Sequence, residues 1–355
     1  MDVIYAVCSW GLGHATRSLP VLRALIHEGH TIRIISHGRS LQLLQHELGD
    51  QASYIDIPDY PLLLSENTRQ FLAKTLVYWP VFIKQMEAGL QRLTKIIEKA
   101  PCDIVVSDGR YEMYNKKIPS FFMSHQIRIM NPLRFRMFES GSEIFNQFFF
   151  KRYKKVIVPD YKTDDLSGDL SHNLKRINED QLEYVGALSD FSKKNTKKDI
   201  DYLISISGPE PQRTLLEKTL MEQVKRLQGT IVVTLGKTEQ QEKKVDDHVT
   251  SYSFVDKAQR ENLLNRAHMV IARSGYSTLM DLAVIGSKAV FIPTPGQIEQ
   301  EYLASYHHQK HTFYATTQDK IELDQDVQEA EKTTGIIQSC SVKKTVEQIL
   351  SILSS

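Results

Sequence analysis

Short apolar runs rich in β-branched residues alternate with longer amphipathic segments along the first half of the chain. The apolar runs read DVIYAVC, TIRIIS, SYIDIP, CDIVVSD and PSFFMS. Most of them are separated by predicted helices: one from about Thr16, a leucine-rich one, and a long one near residues 69–98. Such alternation is typical of parallel strands joined by helical crossovers. It predicts an α/β fold with a parallel sheet.

The same pattern recurs after a polar, basic and aperiodic stretch, SDFSKKNTKKDID. We interpret this stretch, residues 189–201, as a linker. The runs DYLISIS, TIVVTL, MVIAR and KAVFIP then predict a second α/β unit, and the chain ends in the amphipathic VKKTVEQILSILSS. The length of 355 residues fits two domains. We expect an N-terminal domain at 1–188 and a C-terminal domain at 202–355, with packing of the last helix back on the N-terminal domain left open.

The composition argues against several classes of protein. With 44 Lys+Arg against 43 Asp+Glu, bulk charge does not indicate a nucleic-acid partner. Cys8, Cys102 and Cys340 are too few and too scattered for a disulfide framework or a cysteine zinc site, which is typical of a reducing compartment. No apolar run approaches about 18 residues, and no signal-peptide pattern follows Met1. We therefore expect a cytoplasmic protein that does not span the membrane.

The loop VCSWGLGHATR, residues 7–17, joins the first strand to a helix. It is not a dinucleotide fingerprint, because Thr16 stands at the third glycine position and no acid follows the second strand. Gly11 and Gly13 allow a turn without side-chain bulk, next to a helix start that attracts anions. His14 is expected just before the helix, facing the crevice at the strand ends. A local capping or packing role carries equal weight.

Two loops in the second half have the same strand, turn and helix form. Ser207 and Gly208 end one strand, with Arg213 in the first turn of the next helix, and Arg273-Ser274-Gly275 precede another helix. A cation at a helix start costs about 0.3–1 kcal/mol unless an anion lies between. For any single arginine, exposure to solvent or pairing with an acid is the simpler account. Arg17, Arg213 and Arg273 together nevertheless predict a diphosphate site.

The GLGH loop, RSGYSTLMDLAVIG and the following IPTPGQIEQEYLA resemble the GT-B glycosyltransferases. The likeness is greatest to the bacterial transferases that add N-acetylglucosamine to a lipid-linked acceptor, and it extends to UDP-glycosyltransferases. It spans most of the chain and is specific mainly at residues 8–17 and 271–304. It implies two Rossmann-like doubly wound domains facing a central cleft, with the donor nucleotide in the C-terminal domain and the acceptor at the N-terminal one.

The resemblance also implies roles for single residues. Asp281 matches an acid that holds ribose hydroxyls, and Glu299 with Gln300 matches a pair that holds the donor sugar, although a solvent carboxylate and an exposed helix start are the simpler accounts. Phe254 and Val255 match a segment whose main chain reads uracil. The expected donor-binding residues are Gly13, Ser207, Gly208, Arg213, Phe254, Val255, Arg273, Ser274, Gly275, Tyr276, Ser277, Thr278, Asp281, Glu299 and Gln300.

The expected acceptor-binding residues are Gly11, Arg17 and His125, with a structural role favoured for His125. His14 matches a histidine proposed in relatives as a general base or an acceptor contact. Asp108 is the second candidate for the catalytic base, although a turn aspartate before Gly109 is the simpler account. The asparagine that often follows the Glu-Gln pair is replaced by Leu303, which leaves the donor sugar open.

The reaction implied is displacement at the anomeric carbon, in which an acceptor hydroxyl attacks, UDP leaves and the configuration inverts. Main-chain N–H groups and arginine would stabilise the leaving diphosphate, so we expect no metal and no cofactor. Asp199-Ile200-Asp201 has the letters of a metal-binding Asp-x-Asp but follows the lysine-rich stretch, and we interpret it as linker. A nucleotide-sugar hydrolase or epimerase and a non-catalytic nucleotide-sugar-binding protein stay open as alternatives.

Two segments interleave aromatic and basic residues, IRIMNPLRFRMF and IFNQFFFKRYKK. This composition fits a peripheral membrane or lipid-carrier contact on the inner face of the membrane, and so cell-envelope polysaccharide or glycolipid synthesis. A buried aromatic helix face with basic residues outside carries more weight, because periodicity does not separate buried from membrane-facing positions. The acceptor class expected is a lipid-linked or polysaccharide hydroxyl.

Overall fold

The structure is a computed structural model that describes residues 1–60, 68–131, 135–237, 242–336 and 341–355. The chain forms two compact units. Unit 1 comprises Met1–Asp190 and Ser341–Ser355, and unit 2 comprises Phe191–Cys340. Within the described residues, no helix combines the length and the apolar character that a bilayer crossing requires.

Unit 1 is built on a seven-stranded sheet whose strand pairs are all parallel. Its inner strands are buried on both faces, which is why they read as continuous apolar runs. The strands are β1 (Asp2–Val7), β2 (Thr31–Ser36), β3 (Ser53–Asp56), β4 (Ile104–Asp108), β5 (Ser120–Met123), β6 (Lys155–Val158) and β7 (Leu182–Tyr184). The helices are α1 (Leu12–His27), α2 (Gly38–Leu48), α3 (Thr68–Lys99) and α4 (Arg136–Phe150).

The strand order of this sheet is β3-β2-β1-β4-β5-β6-β7. The direction of winding therefore reverses between β1 and β4, where Val7 pairs with Asp108. Loops at the carboxyl ends of such neighbouring strands form the usual ligand crevice of a doubly wound sheet. The predicted GLGH loop and Asp108 both lie there.

Unit 2 contains a second seven-stranded sheet, of order β10-β11-β9-β8-β12-β13-β14, in which only the β10–β11 pair among those described is antiparallel. Its winding reverses between β8 and β12. The strands are β8 (Ile200–Ser205), β9 (Ile231–Thr234), β10 (Glu242–Asp246), β11 (Val249–Tyr252), β12 (Ala267–Ala272), β13 (Lys288–Phe291) and β14 (Tyr314–Ala315). The helices are α5 (Gln212–Gln223), α6 (Lys257–Arg266), α7 (Tyr276–Ile285), α8 (Ile298–Gln309) and α9 (Leu323–Glu331).

The last helix, α10 (Val342–Ser354), lies in unit 1, where it packs against α1. Gln348 donates a hydrogen bond from Nε2 to the carbonyl of Tyr184 at 3.2 Å. The segment after Phe191 is attached to unit 2, since Ser192 and Lys194 both bond the carboxylate of Glu261.

Helix α1 begins at Leu12, earlier than the predicted start near Thr16. Gly11 is its N-cap, and Gly13 and His14 lie inside the first turn rather than in a loop before it. Glycine is about 1 kcal/mol less favourable than alanine in a helix, so Gly13 conceals the start of the helix from pattern analysis. The consequence is that the helix geometry fixes the position of His14.

Candidate functional site

His14 and Asp108 form a hydrogen-bonded pair at the switch point of unit 1. Nδ1 of His14 lies 2.8 Å from Oδ1 of Asp108. The side chain of His14 is 25% exposed, whereas that of Asp108 is wholly buried. Nδ1 also lies 2.9 Å from Nη2 of Arg17, which already bonds Asp108. Because the ionised carboxylate of Asp108 only accepts, we assign a proton to Nδ1, which donates it to Asp108 rather than accepting from Arg17, and this leaves Nε2 as the acceptor.

The carboxylate of Asp108 is held from three directions. Arg17 donates from Nε to Oδ2 at 2.8 Å and from Nη2 to Oδ1, and Ser18 donates from Oγ to Oδ2 at 3.0 Å. Burial by itself raises the pKa of Asp108, but the charges of Arg17 and His14 and their hydrogen bonds outweigh it. The pKa is therefore held well below its ordinary value, and the carboxylate stays ionised at neutral pH.

These contacts correct the sequence interpretation of Asp108 and Arg17. Asp108 is the buried last residue of β4 and bonds His14, so it is neither a turn aspartate nor a proton acceptor for a ligand. Arg17 is 4% exposed, and its guanidinium donates both to Asp108 and, from Nη1, to Nδ1 of His125 at 2.9 Å. It is therefore a partner of the carboxylate rather than a direct acceptor contact. His125 is buried beside it.

The start of helix α7 is open at the switch point of unit 2. Gly275 is its N-cap, without a side-chain cap, and a Cβ built on it would have no heavy atom within 4 Å. The N–H of Leu279 donates to the Gly275 carbonyl at 3.0 Å as the first helical bond. The N–H groups of Ser277 and Thr278 precede that bond, so they have no acceptor in the helix and can bind an anion.

Arg273 has a different role from the one predicted, because its guanidinium does not point to an open site. It is 2% exposed, and its five N–H groups reach the carbonyls of Ser207, Gln212, Ile292 and Pro293 and Oε1 of Gln318 at 2.7–3.4 Å. It thereby holds together the loops after β8, β12 and β13. All five acceptors are neutral, and burial lowers the pKa of Arg273 to about 10, so at neutral pH this residue, two positions before the N-cap Gly275, carries a buried positive charge.

Arg213 also departs from the predicted diphosphate contact. Its guanidinium pairs with Glu210 and with Glu217, the latter at 2.9 Å. Glu210 in addition accepts from the N–H of Thr214 at 3.3 Å, so the start of α5 is occupied by an acid from its own loop. Ser207 and Gly208 are exposed in this loop, and Gly208 has a φ of +118°. Of the two predicted anion sites, only the start of α7 is therefore left uncapped by an acid of its own loop.

The predicted donor residue Gly13 lies in unit 1, and the remaining ones lie in unit 2. Ser274 donates to the carbonyl of Gln300 at 2.8 Å, and Oε1 of Gln300 accepts from the N–H of Thr294 at 2.9 Å. The Gln300 amide thus organises its own loop instead of extending outward. Glu299 lies in the first turn of α8. Asp281 lies 3.6 Å from Arg260 on α6. Phe254 is 40% exposed in the loop after β11, and Val255 is half-buried beside it.

Helix α4 has a buried aromatic face, as the more heavily weighted expectation has it, since Phe149 and Phe150 are both buried. It also presents an apolar outer face, which that expectation does not include. Ile144 and Phe148 are 58% and 57% exposed, while both glutamates of the helix are buried. Lys151 and Lys154 follow the helix as exposed cations. The outer face of α4 consists of Met137, Phe138, Gly141, Ile144 and Phe148. Residues 132–134 of the predicted aromatic and basic segment lie outside the described residues.

No group of three or more His, Cys, Asp or Glu side chains suited to a metal occurs among the described residues. In the Asp-x-Asp sequence, Asp199 pairs with Arg266 at 2.7 Å and Asp201 accepts from the N–H of Thr230 at 2.7 Å. Both carboxylates therefore hold neighbouring elements of unit 2 together.

Two family models match the chain, and both describe glycosyltransferases. Residues 1–129 match the model "Glycosyl transferase family 1", and residues 209–344 match "Glycosyltransferase family 28 C-terminal domain". The chain belongs to the GT-B glycosyltransferases. This agrees with the resemblance seen in the GLGH loop and in the segment around Arg273.

Relatives and solved structures agree with this GT-B assignment. A Methanosarcina mazei protein described as an uncharacterized glycosyltransferase is 24% identical over 326 residues, which are 86% of this chain and 83% of that protein. A 39-residue stretch, 11% of this chain and 10% of that protein, is 51% identical to a Methylobacterium UDP-N-acetylglucosamine–N-acetylmuramyl-(pentapeptide) pyrophosphoryl-undecaprenol N-acetylglucosamine transferase.

Among solved structures, the calicheamicin glycosyltransferase CalG4 has a TM-score of 0.67 at 13% identity, over 99% of this chain and 98% of that one. MurG of Acinetobacter baumannii has a TM-score of 0.59 at 11% identity, and the match covers 100% of this chain and 99% of MurG. The spinosyn rhamnosyltransferase SpnG with thymidine diphosphate has a TM-score of 0.60 at 13% identity, and the match covers 100% of this chain and 92% of SpnG. These likenesses show the GT-B fold.

Several residues of this glycosyltransferase were not found from its sequence. Ser18 bonds Asp108 and lies one helical turn after His14, so the spacing of His14, Arg17 and Ser18 was an available signal. Gln318 and Gly109 carried no such signal, because their contacts with Arg273 and His14 join distant segments.

Proposed function

We propose that this glycosyltransferase moves a sugar from a UDP-linked donor to an acceptor hydroxyl, without a metal and with inversion of configuration. The observation that carries the proposal is the open start of α7 at the switch point of unit 2, which follows the buried charge of Arg273 by two residues. The N–H groups of a helix start and a fixed positive charge stabilise a diphosphate, and they do so most as it leaves with its full negative charge.

His14 is the base in this proposal. Nε2 removes the proton of the acceptor hydroxyl while its oxygen attacks the anomeric carbon, and the bond from that carbon to the diphosphate oxygen breaks to release UDP. Asp108 bonds Nδ1 and stabilises the imidazolium that forms, which is the role of the carboxylate in other hydrogen-bonded His–Asp pairs.

The donor is proposed to be a UDP-N-acetylhexosamine. The support is the 39-residue stretch that is 51% identical to a transferase whose printed name includes UDP-N-acetylglucosamine. Phe254 has an exposed aromatic side chain and lies in the loop after β11, within the segment proposed to read the base. Thymidine diphosphate in the SpnG structure makes dTDP-sugars the competing donors to test.

The acceptor is proposed to be a lipid-linked or polysaccharide hydroxyl at the cytoplasmic face of a membrane. The outer face of α4 supports a peripheral membrane contact, because it consists of exposed apolar residues and is followed by the exposed Lys151 and Lys154. Lysine attracts anionic headgroups, contributing about 1 kcal/mol for each cation near the surface.

The test is a product assay with UDP-N-acetylglucosamine, UDP-glucose and dTDP-glucose, each with and without a polyprenyl diphosphate glycolipid or a polysaccharide as acceptor. The proposal expects a glycosylated acceptor by mass spectrometry, and release of UDP that depends on the acceptor. Release of UDP at the same rate without any acceptor would instead identify a hydrolase. An altered sugar that is still joined to its nucleotide would identify an epimerase. Stoichiometric binding without turnover would identify a non-catalytic binding protein.

A further inference from the structure

Gly109 lies directly against the imidazole ring of His14. A Cβ built on Gly109 would be 2.8 Å from Cε1 and 3.2 Å from Nδ1 of that ring, and 3.2 Å from Cβ of Cys8. Carbon atoms that are not bonded pack best at about 3.5–4.0 Å. A side chain at position 109 would therefore have to displace the His14 ring or the strand end that carries Cys8.

The backbone of Gly109 is fixed, so it cannot withdraw from the ring at low cost. Its φ of +79° lies in the left-handed region. Its N–H donates to the carbonyl of Met123 at 3.1 Å, and its carbonyl accepts from the hydroxyl of Tyr60 at 3.1 Å. Tyr60 is itself buried, with its ring packed edge-on against Trp10 at 5.3 Å.

The ring of His14 is thus confined between two neighbours that follow each other in the chain. Asp108 holds Nδ1 by a hydrogen bond, and Gly109 sets how far the Cε1 edge of the ring can approach the sheet. We propose that Gly109 is a positioning residue for His14, and that its missing side chain is what allows the His14–Asp108 pair to form. The catalytic consequence rests on the proposed role of His14 as the base.

The test compares Gly109→Ala with Gly29→Ala in the full chain. Gly29 has nearly the same φ, +81°, but a Cβ built there would meet nothing within 4 Å. Both variants therefore carry similar backbone strain, and only one of them displaces the ring. Two readouts are taken: the NMR signal of the Cε1–H group of His14, assigned with His14→Gln, and the kcat and KM of sugar transfer.

We expect Gly109→Ala to move the His14 signal and to lower kcat by about 100-fold, the usual scale for a misplaced catalytic group, with the donor KM unchanged. Gly29→Ala should alter neither. An unmoved His14 signal in Gly109→Ala would overturn the positioning role, whether or not transfer is detected. A moved His14 signal with a normal kcat would support the positioning of the His14 ring by Gly109, but it would overturn the role of His14 as the base.

Tyr60→Phe provides a second variant without backbone strain, for use where Gly109→Ala does not fold. It retains the aromatic packing and removes the hydroxyl that bonds the Gly109 carbonyl. We expect a smaller displacement of the His14 signal in the same direction, with a lower kcat. A wild-type signal together with a wild-type kcat in Tyr60→Phe would contradict the inference.

Discussion

Nδ1 of His14, in the first turn of α1, lies 2.8 Å from Oδ1 of Asp108, the last residue of β4. The carboxylate is buried and ionised, while a quarter of the imidazole side chain is exposed. Because Nδ1 is bonded to the carboxylate, Nε2 is the ring nitrogen left to accept a proton, which is what a general base requires.

Removal of His14 should therefore affect turnover more than binding. We expect His14→Ala to lower kcat by about 10²–10⁴-fold, the usual contribution of general base catalysis, with the donor Kd unchanged. Steady-state kinetics and a donor titration measure the two effects. His46→Ala removes a histidine that is 83% exposed and serves as the control. Unchanged kcat in His14→Ala would assign the base elsewhere.

Asp108→Asn should destabilise unit 1 in a pH-dependent manner. Removing one partner of a buried ion pair costs about 3–5 kcal/mol, here because Arg17 keeps its charge. The pKa of Asp108 is lowered in the folded state, so the carboxylate stabilises the fold above its unfolded pKa of about 4 and loses that contribution as the pH falls through the folded value.

Urea unfolding from pH 7 down to pH 3 measures this difference. The gap in unfolding free energy between wild type and Asp108→Asn should be constant down to about pH 4 and should narrow below it. Asp56→Asn, whose side chain is 60% exposed, should cost at most about 1 kcal/mol. A gap that widens toward acid would show that the sign of the pKa shift is wrong.

Much of the fold could be predicted from the sequence, because burial on both faces of a parallel sheet gives each inner strand a continuous apolar run. The RSG segment is a loop at a strand end, as predicted, whereas only Gly11 of GLGH precedes helix α1. Both segments still follow a strand, which is enough to locate two switch points. The start of α1 could not be predicted, since Gly13 breaks the helical pattern while lying inside the helix.

The partners of the arginines were harder to predict. For Arg213 the sequence did contain a signal, because Glu210 and Glu217 are three residues before it and four after it. For Arg273 four of the five acceptors are main-chain carbonyls from segments far apart in the chain, and a carbonyl has no side-chain signature. The sequence shows the charge but not what the charge holds together.

Arg273→Lys should lower the stability of unit 2 even without nucleotide. Lysine has three donors where arginine has five, so at least two buried acceptors lose a partner, at about 1–3 kcal/mol each. Chemical denaturation measures the loss, and Arg226→Lys at an exposed position is the control. Wild-type stability in Arg273→Lys, combined with lost nucleotide binding, would favour direct phosphate contact instead.

The outer face of α4 should bind membranes. Replacing Ile144 and Phe148 by serine removes two exposed apolar side chains, each contributing about 1.5–3 kcal/mol when buried, so co-sedimentation with anionic vesicles should weaken at least tenfold. Leu215→Ser, on a residue 48% exposed in α5, is the matched control. Equal sedimentation of all three proteins would assign the aromatic face another partner.

The proposed sugar transfer depends on a diphosphate site at the open start of α7. Gly275→Asp tests this site, because it should block nucleotide binding without lowering the stability of the fold. Aspartate is a favoured N-cap, so the variant should be as stable as wild type or more stable. Its carboxylate would occupy the space that a phosphate requires, whereas Gly275→Ala adds only a Cβ in open space.

Calorimetric titration of wild type, Gly275→Ala and Gly275→Asp with UDP and with uridine is the most direct measurement. The account predicts that wild type binds UDP more tightly than uridine, and that Gly275→Asp folds normally but loses at least tenfold in affinity for UDP while its weak affinity for uridine is unchanged. UDP binding by a folded Gly275→Asp at wild-type affinity would contradict a diphosphate site at this helix start.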